Sequence, residues 1–263
     1  MIGRARFAFT VLAFGYAFLY LPIALVMIYS FNESRLVTVW SGFSLKWWQA
    51  LFDNDAMLSA AWLSLRIAVV SATLATLLGL AAGYVLARVP RFFGRTLFGG
   101  LVIAPMVMPE VVMGISMLLL FVGAERLIGW PDRGFLTVVI GHTTFSLAFV
   151  AIVVQARLAD FDRSLEEAAM DLGATPGVTF LTVTLPLIAP ALASGWLLAF
   201  TLSLDDLILT QFVSGAQSET LPMRVYSSVR LGVDPQINVL ATIVVCIAAG
   251  ALIFSSWLTR RRA

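Results

Sequence analysis

Acidic side chains inside long apolar stretches are the residues of this sequence with the most evident chemistry. Asp205 and Asp206 interrupt the otherwise uncharged stretch 188–213, and Glu110 interrupts the stretch 96–124. A charge at lipid depth costs about 2.5–3.5 kcal/mol on insertion scales, so it usually faces a cavity or a partner. We therefore predict that these carboxylates line a path through a membrane or pair with polar neighbours.

The two adjacent aspartates cannot share one direction. Neighbouring residues of a helix point about 100° apart. We expect one aspartate to line the path and the other to pair laterally. Arg66 lies at the same depth as Asp206, roughly 10 Å from the outer end of its own stretch. The hypothesis is a structural ion pair between Arg66 and Asp206 that leaves Asp205 free.

Glu110 directly follows an element that is typical of a helix break, because Pro105 and Pro109 stand four residues apart just before it. Two prolines remove backbone donors and bend or open a helix. A carboxylate beside such a break resembles transporter binding sites built from broken helices. A kinked helix whose glutamate meets a neighbouring backbone donor is the alternative.

Separated carboxylates would repel anions such as phosphate, sulfate or molybdate and would suit a cation with several ammonium groups. Aromatic faces add cation–π attraction, although aromatic residues in spans more often serve as packing or interface anchors. The aromatic residues available for such a pathway are Tyr16, Tyr20, Trp62, Trp196 and Phe200, with Tyr20 and Trp196 taken as pathway residues.

The elements that must hold these residues are membrane helices. The 263 residues are 60% hydrophobic and 12% charged, whereas a soluble domain has about a quarter charged residues. Each long apolar stretch can cross a bilayer as a helix. We predict an all-α polytopic membrane protein with a single domain, 1–263, a retained first span and six transmembrane helices, at about 8–30, 59–87, 97–122, 135–156, 189–213 and 236–258.

Arginine placement predicts the orientation. Six spans put both termini on one side together with the loops 88–95 and 157–187. That side carries ten basic residues and the opposite side six, so the positive-inside rule makes both termini and both loops cytoplasmic. The ten are Arg4, Arg6, Arg88, Arg91, Arg95, Arg157, Arg163, Arg260, Arg261 and Arg262. The six on the opposite side are Arg35, Lys46, Arg126, Arg133, Arg224 and Arg230.

The loop 157–187 contains a charged stretch that breaks into two short helices with an apolar stripe on the first. Such a capped pair at a membrane surface is typical of a docking element for a partner. The marks of the helix ends are a capping box of Ser164 and Glu167, a stop at Gly173, an N-cap at Thr175 before Pro176, and an end at Pro186.

The spacing within this loop resembles the EAA loop of ABC-importer permease subunits. The matching positions are Glu167, Ala168, Ala169, Gly173, Leu185 and Pro186, and Val183 departs from the isoleucine usual in that family. The resemblance implies coupling helices that dock on a separate cytoplasmic ATPase. An ordinary interfacial amphipathic hairpin is the alternative.

The sequence argues against an enzyme. Its only lysine, Lys46, stands between Leu45 and Trp47, so a phosphate-binding P-loop is impossible and the energy must come from another subunit. We predict that this chain binds no cofactor or metal, with ATP and Mg²⁺ held by the partner ATPase. The lone Cys246 excludes an internal disulfide, and His142 is expected to pack with a hydrogen-bond partner.

Further segments resemble the permease subunits of bacterial polyamine ABC importers, and favour the second permease of the putrescine systems over the spermidine-preferring type. They are 29–32, 36–40, 196–206, 214–215, 221–223 and 231–235. The resemblance implies a type I importer permease (MetI-like) fold in the bacterial inner membrane. The implied partners are a sister permease, an ATPase dimer, a periplasmic polyamine-binding protein and the lipid bilayer. No nucleic-acid partner is expected.

Three other functions stay open from the residues. A permease for another cationic solute could use the same loop. A proton-coupled carrier could use Asp205, Asp206 and Glu110 as a relay and would not need the loop. An intramembrane aspartyl hydrolase needs paired aspartates on facing spans, whereas Asp205 and Asp206 are adjacent on one.

Overall fold

In a computed structural model, the structure describes residues 2–36, 39–232 and 234–260, with side chains for those between 7 and 250. The described residues form helices and connecting loops, and their only strand-like pairing is an isolated bridge between Asn32 and Phe43. Of the residues used above, 37, 38, 233, Arg261 and Arg262 lie outside the described residues, as do the side chains of Arg4, Arg6 and Arg260.

Helices follow one another along the whole described chain, as the all-α prediction requires. A π-helical turn, Phe180–Thr184, joins the eighth and ninth of them. The α-helices are α1 Ile2–Tyr29, α2 Lys46–Phe52, α3 Asp55–Arg88, α4 Arg95–Val107, α5 Glu110–Ile128, α6 Phe135–Ala159, α7 Ser164–Asp171, α8 Pro176–Thr179, α9 Leu185–Asp205, α10 Ile208–Val213, α11 Leu221–Leu231 and α12 Gln236–Arg260.

Five helical segments of the described residues are long and apolar enough to cross a membrane: Phe7–Tyr29, Asp55–Arg88, Glu110–Ile128, Phe135–Ala159 and Pro176–Asp205. At the position of the predicted sixth span lies α12, Gln236–Arg260, of which the part with described side chains, Gln236–Gly250, is apolar. The six predicted spans therefore correspond to these five helices and α12.

The predicted third span is wrong as a single helix. The chain forms two helices there, α4 and α5, separated at Met108 and Pro109. Met108 is extended at φ −73° and ψ 139°, as expected for a residue that precedes proline. Pro105, in contrast, is accommodated inside α4. The break places Glu110 at the first position of α5.

The predicted fifth span, 189–213, also differs from the observed helices, both where the helix begins and where it ends. Pro186 does not end a helix, because the helical run continues from Pro176 to Asp205. Proline lacks the N–H of the ordinary bonding pattern. The chain adjusts just before it through the π-helical turn, where the N–H of Leu185 bonds to the carbonyl of Phe180, five residues back. The run ends at Asp205, and α10 is a separate short helix.

Contacts divide the chain into two compact units, 1–59 with 224–263, and 60–223. In the first unit, the amide of Asn54 donates to Gln236 Oε1 at 2.9 Å and so joins the start of α3 to α12. The indole of Trp48 donates to the carbonyl of Ser30 at 3.1 Å. This second hydrogen bond attaches α2 to the end of α1.

The second unit is built around α6, whose buried residues form clusters with α3, α9 and α10. One cluster contains Ile67, Val138 and Val213, and another contains Ala75, Val150 and Ala199. Two glycines of α3 permit this packing. A Cβ at Gly83 would lie 2.6 Å from the carbonyl oxygen of Ala151, and a Cβ at Gly79 would lie 2.7 Å from Val150 Cβ. Small residues let membrane helices approach closely.

We predict that Gly83→Ala lowers the thermal midpoint of the purified protein, because the added methyl group meets backbone that cannot turn away. Overpacking of this kind costs about 1–3 kcal/mol. Gly100→Ala is the matched control, since a Cβ at that helical position has nothing within 4 Å. Equal midpoints for the two variants would contradict the packing described for α3 and α6.

Candidate functional site

The break after α9 is organised by Asp206. This residue has an extended backbone, with φ −65° and ψ 124°, so the helix cannot continue through it. Its carboxylate accepts hydrogen bonds from the backbone N–H groups of Leu209, at 3.3 Å, and Thr210, at 2.7 Å. Asp206 thus satisfies the first free donors of α10 in the manner of an N-cap.

A buried polar network continues from Asp206 into α6, α9 and α3. The Nε2 atom of His142 lies 3.2 Å from Asp206 Oδ2 and 2.8 Å from Thr210 Oγ1. Its Nδ1 atom lies 2.6 Å from Ser203 Oγ, which in turn lies 3.0 Å from Ser71 Oγ. His142 is 2% exposed. The prediction that His142 packs with a hydrogen-bond partner is confirmed.

The expected ion pair between Arg66 and Asp206 is wrong for this structure. Among the described residues, Asp206 pairs with His142, and its side chain is only 12% exposed. The guanidinium of Arg66 instead lies over the ring of Phe135, 5.2 Å from its centroid. Equal depth along two helices says nothing about whether the side chains point at each other, and that is where the inference failed.

Asp205 has a different environment from its neighbour. It is exposed, and no ion pair to it is found among the described residues. Ser203, two residues earlier, faces the buried network, so Asp205 points roughly 200° away from it around α9. The two aspartates therefore divide into one buried in polar contacts and one left uncovered by the rest of the chain.

Trp196, which was also taken for the pathway, does not lie beside Asp205. The indole N–H of Trp196 donates to Thr73 Oγ1 at 3.1 Å, and its ring stacks on Phe200 with centroids 5.3 Å apart. Asp205 follows Trp196 by nine positions, which corresponds to about 14 Å and two and a half turns of helix, so the two side chains point about 180° apart. Trp196 therefore faces α3, on the side of α9 opposite Asp205.

Glu110 belongs to the second unit and Tyr20 to the first. Glu110 is exposed at the start of α5, and the described residues include no hydrogen bond or ion pair to its carboxylate. The alternative of a backbone donor for Glu110 is therefore not realised here. Tyr20 belongs to the first unit, where it is 60% exposed and stacks on Tyr16 with centroids 6.0 Å apart.

The loop after α6 contains the first predicted short helix, α7, whereas the second is the start of the continuous run Pro176–Asp205. The predicted capping box is wrong. Ser164 is the first residue of α7 rather than its cap. The acceptor is Asp162, whose carboxylate takes the backbone N–H of Ser164 at 3.0 Å. This backbone hydrogen bond, with one from the Ser164 side chain, holds the pKa of Asp162 below its usual value.

The turn between the two short helices follows the sequence signals. Gly173 has a positive φ of 90°. Its N–H bonds to the carbonyl of Met170 at 2.9 Å, and that of Ala174 bonds to Ala169 at 3.1 Å. This pair of bonds is a Schellman motif. Thr175 then adopts the extended N-cap conformation with Pro176 at the first helical position.

We call residues 164–179, which comprise α7, the turn and α8, the hairpin. None of the residues of α7 is buried by this chain. Leu172 is 90% exposed, Leu165 is 48% exposed, and Glu167 is also exposed. An apolar surface of this kind, left uncovered beside charged groups, is typical of an interaction site.

Sequence reasoning missed several residues of these sites. Glu166, beside the matched Glu167, contacts Arg88 at 3.1 Å and accepts from Thr184 Oγ1 at 2.6 Å. No local pattern signals that contact. Asp206 as the cap of a second helix had a signal, because an aspartate directly before an apolar run is a typical helix start. Ser71 carried none.

We predict energetic coupling between His142 and Asp206 but not between Arg66 and Asp206. Double-mutant cycles with His142→Ala, Arg66→Gln and Asp206→Asn, read by unfolding in detergent, test both pairs. The buried pair should give a coupling of about 1–3 kcal/mol, because each single change leaves a polar group unsatisfied. The exposed Arg66 should give less than about 0.5 kcal/mol. Coupling of Arg66 with Asp206 above that value would contradict the geometry.

Comparison with known proteins agrees with these features. The chain is 53% identical over 263 residues to the putrescine transport system permease protein PotI of Escherichia coli (strain K12), covering 100% of this chain and 93% of that protein. It is 43% identical over 245 residues to the spermidine/putrescine transport system permease protein PotC of the same organism, covering 93% and 90%.

A solved structure shares the fold. The crystal structure of a bacterial ABC transporter involved in the import of the acidic polysaccharide alginate contains a chain that matches with a TM-score of 0.72 at 18% identity, covering 97% of this chain and 95% of that one. The family described as "binding-protein-dependent transport system inner membrane component" matches residues 75–261. The chain belongs to this family of inner-membrane transport permeases.

Proposed function

We propose that this permease subunit forms, together with a sister permease, the pathway of an ATP-driven importer for polyamines, with putrescine as the favoured substrate. The observation that carries the cargo proposal is the unequal environment of two adjacent carboxylates. Asp206 is held by His142 and Thr210, whereas Asp205 is exposed and outside any ion pair of the described residues. Two relatives that match almost end to end are permease proteins of a putrescine and a spermidine/putrescine transport system, which supports a polyamine cargo.

A free carboxylate at this depth suits an ammonium group. At 4 Å the attraction between two unit charges is about 4 kcal/mol at the effective dielectric constant of a protein surface. That attraction offsets part of the cost of removing the ammonium group from water. Asp206 would be less suitable, because its carboxylate already accepts hydrogen bonds from Thr210 and lies beside His142.

A diamine has a second ammonium group that needs its own acceptor, and Glu110 is the proposed one in this chain. It opens α5, the helix against which α10 packs, since Phe212 occupies the space left by Gly114. Its carboxylate is exposed. Trp196 is proposed only as a wall of the wider pathway, because it faces α3 rather than Asp205, and Tyr20 of the first unit is proposed as a wall as well.

The proposed energy source is a cytoplasmic ATPase dimer, which binds ATP and Mg²⁺ and docks on the hairpin. The exposed apolar side chains of α7 support this, as does the spacing of Glu167, Ala168 and Ala169 before Gly173. The arginine distribution supports a cytoplasmic position for the hairpin and for both termini. A periplasmic polyamine-binding protein would deliver the substrate on the opposite side.

We expect Asp205→Asn to lower putrescine uptake by about tenfold, because the variant loses the charge that faces the ammonium group but keeps the size of the side chain. Uptake and ATPase rate are measured in proteoliposomes containing the complete complex and putrescine-loaded binding protein. Asp132→Asn, an exposed aspartate in the loop before α6, is the matched control and should transport normally.

Two results would contradict the proposal. Normal uptake by Asp205→Asn would remove this carboxylate from the pathway. Uptake that survives ATP depletion but collapses with the proton gradient would instead indicate a proton-coupled carrier.

We also expect Leu172→Ser to reduce co-purification of the ATPase subunit by several-fold, because a docked leucine loses its buried apolar area when replaced. Leu127→Ser is the control, since Leu127 is 86% exposed near the end of α5. Permease amount in the membrane is measured in parallel. Equal retention of the ATPase by both variants would exclude Leu172 from the docking surface.

A further inference from the structure

The first helix of the hairpin, α7, is attached to the rest of its unit by polar contacts rather than by a buried apolar face. None of the residues of α7 is buried, so hydrophobic packing inside this chain contributes little to its position. Glu166 is the exception to its exposed surroundings, because its side chain is only 14% exposed. The attachment of α7 therefore depends on what Glu166 contacts.

Glu166 uses both carboxylate oxygens and reaches two different helical segments. Its Oε2 atom lies 3.1 Å from Nη2 of Arg88, the last residue of α3, whose side chain is 9% exposed. Its Oε1 atom accepts a hydrogen bond from Thr184 at 2.6 Å. Thr184 ends the π-helical turn that leads into α9. One carboxylate thus joins the hairpin to two membrane helices.

Arg88 extends the connection to a third helix. Its Nη1 atom donates to the carbonyl of Leu158 near the end of α6, at 3.4 Å. Its guanidinium also lies over the ring of Phe161, 5.3 Å from the centroid. A planar guanidinium can hold a carboxylate, a carbonyl and an aromatic face at once, which a lysine cannot reproduce.

We propose that Arg88 and Glu166 form a positioning pair, here named the hairpin link, through which movement of the docked hairpin is passed to α3, α6 and α9. Neither residue touches cargo or nucleotide. The proposal rests on the proposed function, in which an ATPase moves the hairpin. Removing either charge leaves the other largely buried and unpaired, so the hairpin keeps its own fold but loses its fixed position against the membrane helices.

The test uses the complete reconstituted complex with the variants Arg88→Gln, Glu166→Gln, the double variant and the conservative Arg88→Lys. Arg95→Gln is the matched control, because Arg95 donates to Leu86 at the same end of α3, at 2.9 Å, but belongs to α4 and not to the hairpin. The readouts are ATPase co-purification, stimulation of ATPase rate by loaded binding protein, and substrate transported per ATP.

We expect each single charge removal to retain the ATPase subunit but to lower stimulation and transport per ATP by about fivefold or more. The double variant should resemble the single ones, because the two residues act as a unit. Arg88→Lys should recover part of the loss, and Arg95→Gln should behave as wild type. Normal stimulation in the single variants, or a double loss equal to the product of the single losses, would overturn the hairpin link.

Hydrogen–deuterium exchange of residues 164–173 in the same complexes gives a readout that needs neither cargo nor ATPase activity. Exchange should rise in Arg88→Gln and Glu166→Gln but not in Arg95→Gln, and unchanged exchange would overturn the link even if assembly were impaired. A wild-type complex that putrescine-loaded binding protein does not stimulate would contradict the proposed cargo, while the exchange result would still decide the link.

Discussion

Backbone groups at lipid depth must find partners within the protein, and a helix can be interrupted there only where other atoms replace its hydrogen bonds. Asp206 supplies this replacement at the end of α9. Its carboxylate accepts the free N–H groups of Leu209 and Thr210, and His142 holds that carboxylate in place. The break between α9 and α10, and with it the exposed position of Asp205, depends on this one buried cluster.

The cluster explains how adjacent identical residues come to differ. A turn of about 100° per residue predicts that Asp205 and Asp206 diverge, and they do. It does not predict which of them is buried. That was decided by the position of His142 on α6, because Ser203 and Asp206 both reach its ring while Asp205 points away. In the proposed pathway, one carboxylate would maintain the local fold and the other would stay available to a cation.

The hairpin shows the same division between local and distant causes. Gly173, Thr175 and Pro176 act on their immediate neighbours, so their roles were readable in the sequence and are found in the structure. Pro186 was misread as a helix end, because a π-helical turn accommodates the missing donor and only the surrounding helix shows that. Glu166 was missed because its partner, Arg88, is distant in sequence.

The sequence by itself determined the helical class, most of the long apolar helices, the turn chemistry of the hairpin and the family spacing around Glu167. These depend on composition and on residues a few positions apart, whose interactions are the same in any context. Only the tertiary structure decided that His142 rather than Arg66 meets Asp206, and that Trp196 faces α3 instead of Asp205. Depth and helical period specify height and angle on one helix, whereas contact also requires the rotation of the neighbouring helix, which the packing of the whole unit sets.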